Sequence, residues 1–194
     1  MTHPLDSTGG TPAIWLRFTL VFLIVAGLIY PFVTTLLAGV LFPRQAQGSL
    51  IEQGGTVVGS SLVGQQFAGD QYFVGRPSAA DYDPTGVSGS NLAVSNPALR
   101  SRAEATSQEI AAREGVEPAT IPVDLVAASG SGIDPHISPE AAALQVARVA
   151  QTRGLGEAQV SQLVAEHTER GPLGLGQPGV NVLELNLALD NLNP

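Results

Sequence analysis

The chain of 194 residues contains no cysteine and no lysine. Without cysteine, neither a disulfide nor a thiolate metal site can hold the fold together, so packing must stabilise it. Without lysine, the chain cannot supply the conserved amine of a P-loop or the amine that forms a Schiff base. Two large classes of phosphate and carbonyl chemistry are therefore excluded.

Positive charge is also scarce. The chain has nine arginines against 17 aspartates and glutamates, and from residue 43 onward sixteen acidic residues stand against eight arginines. This balance disfavours nucleic acid as a partner, because binding to phosphates needs a basic surface, and it mildly concentrates cations near the protein.

One long apolar run dominates the first quarter of the chain. The segment Phe18–Phe42 has 25 consecutive residues without a charge, between Arg17 and Arg44. As a helix it would be roughly 37 Å long, against a hydrocarbon core of about 30 Å, so it predicts a membrane anchor. A cleaved signal peptide is disfavoured, because its apolar run is about 7 to 15 residues and ends in a small-residue cleavage site. Pro31 lies mid-span and predicts a kink.

These features divide the chain into three parts. Residues 1–12 form a polar arm that we expect to be disordered, residues 13–42 form the transmembrane anchor helix, and residues 43–194 form one soluble domain. For this domain we predict an α+β fold with a small, mostly antiparallel sheet and at least three helices.

Three helices are predicted from their caps and apolar periodicity. Asn96 and Pro97 are typical N-cap and first-turn residues, and Gly115 is a typical helix stop. Ser138 begins a second helix that ends at Gly154, and a third, shorter apolar stripe follows it.

Strands are predicted from turn-rich and alternating segments. Residues 45–69 contain short apolar groups between glycines and serines, and Tyr72–Val74 are strand formers. Near the C-terminus, leucines alternate with polar or small residues over Leu183–Leu189, a pattern that predicts a half-buried strand.

Two glycine-rich segments are candidate binding loops. The segment Ser129, Gly130, Ser131, Gly132 is either a nest of backbone N–H groups that binds an anion such as a nucleotide phosphate or, as we favour, a tight turn. Residues 174–179 match GxGxxG, but they precede a predicted strand, whereas a dinucleotide fingerprint follows a strand and opens a helix.

The chain shows no convincing catalytic or metal pattern. Ser131, Asp134 and His136 suggest a hydrolase triad, but no GxSxG elbow presents a nucleophile, so we predict no catalytic residue. His3, His136 and His167 lack metal-ligand spacing, so we predict no metal site.

Two loop segments are the best candidates for contact with a partner. They are Arg76, Pro77, Ser78 and Asp134, Pro135, His136, which combine polar side chains with constrained backbone in loops.

Four ordered blocks behind the anchor carry a family resemblance. GSSLVGQQFAGDQYFVGRPSAADYDP, SGSNLAVSNPALRSR, IPVDLVAASGSGIDPHISPEAAALQVARVAQTRGL and GQPGVNVLELNLAL resemble the C subunit of the Kdp-type potassium-transporting ATPases. The resemblance covers nearly the whole chain. One departure is visible, because the usual SGGSNLG segment of the family stands here as SGSNLAV. The missing lysine fits the resemblance, since the phosphorylation sequence of P-type pump subunits, DKTGT, contains one.

The resemblance implies a non-catalytic accessory subunit of a high-affinity, ATP-driven potassium importer. Its partners would be the lipid bilayer, a channel-like potassium-binding subunit, a P-type pump subunit and a small membrane subunit, and the complex would handle ATP and K⁺. The implied location is the inner (plasma) membrane, with a cytoplasmic N-terminus and an extracytoplasmic domain. The implied role is assembly or stabilisation, a raised ATP affinity of the pump subunit (a catalytic chaperone), or gating of potassium entry.

Two other function classes stay open from the residues. One is a free-standing, membrane-anchored surface binding protein or enzyme, which predicts a deep pocket with perturbed acids. The other is a nucleotide-binding regulatory module with its domain in the cytoplasm.

Overall fold

The computed structural model of the chain describes residues 12–171 and 174–192. The chain divides into two compact units, residues 1–49 and residues 50–194. Residues 1–11 of the arm predicted to be disordered lie outside the described residues, and so does His3.

The described part of the first unit is helical. A continuous helix of 30 residues runs over Pro12–Leu41, is long and apolar enough to cross a membrane, and buries none of its side chains. It consists of α1 (Pro12–Ile24), a π-helical turn (Val25–Ile29) and α2 (Tyr30–Leu41), and the short α3 (Pro43–Ala46) follows.

The helix departs from α geometry directly before Pro31. There the backbone N–H of Tyr30 donates to the carbonyl of Val25, five residues back. Since Pro31 has no N–H to give, a π-helical turn accommodates it. The structure shows a change of helical pitch over Val25–Ile29, and the kink predicted at Pro31 stays a prediction.

The second unit mixes strands and helices, as predicted. In chain order it contains β1 (Leu50–Gln53), β2 (Thr56–Ser60), α4 (Pro97–Glu114), a 3₁₀ turn (Pro118–Thr120), α5 (Val123–Val126), β3 (His136–Ile137), α6 (Pro139–Arg153), α7 (Glu157–Glu166), β4 (Thr168–Glu169), β5 (Gly179–Asn181) and α8 (Val182–Leu192). Strands β1 and β2 form an antiparallel hairpin, and the second sheet has the order β3-β5-β4 with both pairs antiparallel. The predicted α+β class with a small antiparallel sheet is confirmed.

The core lies where helices α6, α7 and α8 pack around the three-stranded sheet. Its fully buried members are mostly aliphatic, and they come from these helices, from β3 and β5, and from Phe73 and Leu125: Phe73, Leu125, Ile137, Val149, Val160, Val180, Leu185 and Leu189. This packing stabilises a unit that has no disulfide.

The predicted helix boundaries are confirmed together with their caps. The Asn96 side chain accepts the N–H of Ala98 at 2.9 Å, and the Ser138 hydroxyl accepts the N–H of Ala141 at 3.0 Å. Gly115 and Gly154 end their helices in the left-handed conformation.

The strand predicted over Leu183–Leu189 is wrong, because this segment belongs to helix α8. Asn181 caps the helix, since its side-chain oxygen accepts the N–H of Glu184 at 3.2 Å. Leucine, glutamate and alanine are strong helix formers, and the buried positions of α8 also satisfy a spacing of three to four residues. The alternation was therefore ambiguous, and the strand stops at Asn181.

The strand formers Tyr72–Val74 lie in no regular strand. Side-chain amides take the place of a neighbouring strand. Asn186 accepts the N–H of Phe73 and donates to its carbonyl, both at 2.9 Å. Gln145 does the same for Val74, at 2.8 and 3.1 Å. The strand prediction failed because the sequence shows propensity but not the partner.

Candidate functional site

An open cleft of about 1010 Å³ borders the three-stranded sheet of the second unit. Its lining comes from the segments 120–124, 134–140, 169–171 and 177–179, together with Arg76. The lining therefore includes residues from β3, from the first turn of α6 and from the ends of β4 and β5, so the sheet positions most of the cleft.

The structure brings the two predicted contact segments together. Arg76 Nη1 lies 2.9 Å from Asp134 Oδ2. The Ser78 hydroxyl donates to the carbonyl of Gly132 at 2.6 Å, and the N–H of Ser129 donates to the carbonyl of Pro77 at 2.9 Å. The two segments, 58 residues apart along the chain, thus form one surface.

The six predicted contact residues divide by position. Arg76, Asp134 and His136 line the cleft. Pro77, Ser78 and Pro135 are not among its lining residues, and their hydrogen bonds fix the backbone of the two segments. Pro135 joins this support through its carbonyl, which accepts the N–H of Val182 at 3.0 Å.

The side chain of Tyr82 fixes the backbone of Arg76. The Tyr82 hydroxyl donates to the carbonyl of Arg76 at 2.6 Å, and burial raises the pKa of that hydroxyl. The Ser78 hydroxyl accepts the N–H groups of Ala80 and Tyr82 at 3.0 and 2.9 Å. These bonds stabilise a turn in which Asp81 and Tyr82 both have positive φ, at 51° and 58°, which is uncommon outside glycine.

Asp134 and His136 interact with each other on the wall of the cleft. His136 Nδ1 lies 3.7 Å from Asp134 Oδ1, and the backbone N–H of His136 donates to the same oxygen at 3.0 Å. The His136 side chain, followed by its backbone N–H and Arg76, lowers the pKa of Asp134 to about 2. The interaction with Asp134 in turn raises the pKa of His136. At neutral pH Asp134 is therefore an anion held by fixed donors.

The segment Ser129–Gly132 closes on itself. The N–H of Gly132 donates to the Ser129 hydroxyl at 3.1 Å, and the N–H of Ile133 donates to the Ser131 hydroxyl at 3.2 Å. The two hydroxyls also lie 3.1 Å apart. These bonds favour the tight turn over an anion-binding nest, and the choice between the two stays a prediction.

Neither the suggested hydrolase triad nor a three-ligand metal cluster is assembled by the described residues. The Ser131 hydroxyl is engaged within its own loop, so it is not presented to His136 as a nucleophile. Within residues 12–171 and 174–192, no three acidic or histidine side chains converge in a way that could hold a metal ion. The match to GxGxxG leads into β5, so it does not open a phosphate-binding helix.

Three acidic residues of the cleft were not predicted as site residues, namely Asp124, Glu140 and Glu169. Asp124 accepts the N–H of Ser138 at 2.7 Å and its hydroxyl at 3.1 Å, so it fixes the start of α6. Glu169 is exposed at the end of β4. Asp124 and Glu140 lie in one of the quoted family blocks, but only the fold places them and Glu169 in one cleft with Asp134.

Comparison with known proteins gives one consistent family. The model of the family described as "KdpC: K+-transporting ATPase, c chain" matches residues 13–191. A potassium-transporting ATPase KdpC subunit of Shewanella putrefaciens is 57% identical over 178 residues, which is 91% of this chain and 89% of that protein.

Relatives from distant bacteria agree with this match. KdpC subunits of Caldanaerobacter subterraneus and Rhodopseudomonas palustris are 52% and 50% identical, and the alignments cover 90% and 92% of this chain and 91% and 96% of theirs. The resemblance carried by the four sequence blocks is confirmed. The chain belongs to the KdpC family, the c chain of the K⁺-transporting ATPases.

Proposed function

We propose that the chain is a non-catalytic accessory subunit of an ATP-driven potassium import complex. The observation that carries the proposal is the family match over residues 13–191, which includes both the apolar helix and the second unit. The relatives are named as subunits of a potassium-transporting ATPase, so their function lies in a complex.

The apolar helix anchors the chain, and the domain of residues 43–194 lies on the outer face of the membrane. The length and composition of Pro12–Leu41 support a single span. One arginine flanks each end of the apolar run, so orientation comes from the family resemblance and not from charge.

The complex, and not this chain, handles ATP and K⁺. The missing lysine and the self-bonded Ser129–Gly132 turn both support this division. The chain assembles or stabilises the complex through contacts with the channel-like subunit, the pump subunit and the small membrane subunit. A raised ATP affinity of the pump subunit and gating of K⁺ entry are the two finer roles that an assay has to separate.

The surface formed by Arg76–Ser78 and Asp134–His136 is the contact site on the domain. Its support is geometric. The two segments form one surface, three of its side chains line the cleft, and buried or paired groups fix the backbone behind it. A rigid surface loses little conformational entropy on binding, which favours a stable interface.

The test is purification of the complex from native membranes through a C-terminal tag on this chain, followed by mass spectrometry and a potassium-stimulated ATPase assay. We expect a P-type pump subunit and a channel-like subunit in the eluate, with ATPase activity that falls when this chain is stripped away. A change in the ATP dependence points to the chaperone role, whereas a change in the K⁺ dependence points to gating.

Matched variants locate the contact site. Arg76→Ala should reduce recovery of the partner subunits, whereas Arg100→Ala, an exposed arginine on α4, should leave it unchanged. If the wild-type chain is recovered alone in several mild detergents, the accessory-subunit proposal fails, and the cleft becomes a candidate ligand site of a membrane-anchored binding protein.

Topology is tested separately with introduced cysteines. The chain has no native cysteine, and Ser88 is exposed, so Ser88→Cys gives a single label site on the domain. An impermeant thiol reagent should label this variant in intact cells and should not label Ser7→Cys. The opposite pattern would place the domain in the cytoplasm.

A further inference from the structure

We propose that the cleft binds a positively charged segment of another protein subunit, with an arginine or lysine side chain placed beside the carboxylates of Glu140 and Glu169. This inference rests on the proposed function, because the partner would belong to the same complex. It adds the chemistry of the occupant, which the family match does not specify.

The charges that line the cleft favour a cationic occupant. Four carboxylates line it, from Asp124, Asp134, Glu140 and Glu169. Arg76 is held by Asp134 at 2.9 Å, which leaves three carboxylates against the exposed Arg170. A cation that enters this cleft therefore meets a net negative field.

The titration of His136 supports the same field. Its pKa is raised by the contact with Asp134 first, and also by the charges of Glu169 and Glu184. The opposing charges of the cleft are Arg76, which is already paired with Asp134, and Arg170. The site thus stabilises a proton on imidazole for the same reason that it would stabilise a guanidinium or ammonium group.

Two of the carboxylates are preorganised. Asp124 is fixed by the N–H and hydroxyl of Ser138, and Asp134 is fixed by Arg76 and by the N–H of His136. The exposed Glu140 and Glu169 form the rim of the cleft. Acceptors that are already fixed reduce the entropy that binding must overcome.

An apolar surface around Val123, which we call the shoulder, lies next to the charged cleft. Val123 is 76% exposed and borders both the cleft and a second, more apolar groove of about 430 Å³. That groove is lined in part by Ala103, Ile121 and Val126. Exposed apolar surface beside fixed charges is typical of a protein interface, so the occupant should carry an apolar residue near its basic one.

Size and charge disfavour the other occupants. A cleft of about 1010 Å³ exceeds what a single side chain fills and is at the upper end of the range for small ligands. A second copy of this chain is disfavoured, because the acidic excess lies almost wholly in residues 43–194 and two such domains repel each other. An oppositely charged partner segment fits both observations.

The first test is a cross-link from the shoulder in the assembled complex. Val123→Cys places one thiol at the edge of the cleft, and a thiol-attached photo-cross-linker of about one side-chain length is activated after purification. The expected product is an adduct with another subunit whose cross-linked peptide contains an arginine or lysine next to an apolar residue. Glu109→Cys, on the exposed face of α4, is the matched control.

Three results would overturn the inference: an adduct with a second copy of this chain, an adduct with a neutral or acidic peptide, or no adduct at Val123→Cys in a complex that purifies intact. This last result leaves the accessory-subunit proposal standing. Loss of the whole complex from the wild-type eluate is the separate result that contradicts the proposed function.

The second test reverses charge at the rim. In complexes with wild-type partners, Glu169→Arg should weaken retention of the partner about tenfold. Glu169→Gln should have a smaller effect, because an arginine would repel the basic residue of the partner, whereas a glutamine only removes the attraction. Glu109→Arg changes the net charge equally, away from the cleft, and should have no effect. Equal retention for Glu169→Arg and Glu109→Arg would contradict the inference. Reversal of the basic residue found in the cross-linked peptide should restore retention of Glu169→Arg.

Discussion

Replacement of Asn186 by leucine should strongly destabilise the second unit, although the two side chains are similar in size. Asn186 is 1% exposed, and its amide forms both hydrogen bonds of the Phe73 backbone, which is itself fully buried. Leucine would leave that N–H and carbonyl without partners inside the core. Each such group costs about 1 to 3 kcal/mol when it stays unsatisfied.

The expected size of the effect follows from those two groups. Together they cost about 2 to 6 kcal/mol, and burial of the leucine side chain recovers about 1.5 to 3 kcal/mol. The difference between the two midpoints is a net loss of about 2 kcal/mol in the free energy of unfolding. For a domain of this size, that loss lowers Tm by roughly 4 to 8 °C.

The assay is thermal unfolding of the full chain in a mild detergent, monitored by near-UV circular dichroism. Asn191→Leu is the matched control, because Asn191 lies on the same helix but is exposed. This variant should change Tm by no more than the small shift typical of surface substitutions. If the two leucine variants had equal Tm values, side-chain amides would not hold Phe73 in place and our account of the 72–74 segment would be refuted.

Three further predictions concern other parts of the second unit. Because the pKa of Asp134 is lowered to about 2 in the fold, the stability that it contributes is present above pH 4 and is lost as the pH falls toward 2; Asp134→Asn should flatten that part of a plot of Tm against pH. Gly132→Ala should destabilise by about 2 kcal/mol or more in urea unfolding, because φ is +75° and a Cβ would lie 2.6 Å from a carbonyl of the facing loop, whereas Gly130→Ala meets open space and should be nearly neutral. Arg148→Ala should cost about 1.5 to 3 kcal/mol in the same assay, because it leaves the buried carboxylate of Glu114 with Arg113 as its remaining cationic partner, and the double variant that also has Glu114→Gln should recover part of the loss.

Features whose physical causes are local were predictable from the sequence. A helix cap depends on a side chain and an amide two or three residues later, so Asn96 and Ser138 could be assigned without knowledge of the fold. The left-handed stops at Gly115 and Gly154 are equally local. The apolar span needs only its own composition, because a bilayer core acts on each residue in turn.

Features that depend on distant partners were not predictable. Tyr72–Val74 has the propensity of a strand, but its hydrogen-bond partners are amides on α6 and α8, 71 and 113 residues away. The alternating leucines of α8 satisfy a period of two and also a helical spacing, and the N-cap of Asn181 favours the helix. Propensity was overridden in both places by contacts that the sequence does not show.

The candidate site divides in the same way. Loop position and polarity selected Arg76, Asp134 and His136, but only the fold joins them and adds Asp124, Glu140 and Glu169. The carboxylates of Asp124 and Asp134 are fixed by hydrogen bonds, which suits them to recognition of charge. Family membership and cleft chemistry therefore answer different questions. The family places the chain among the subunits of K⁺-transporting ATPases, and the charge of the cleft is the basis of the partner contact that we propose.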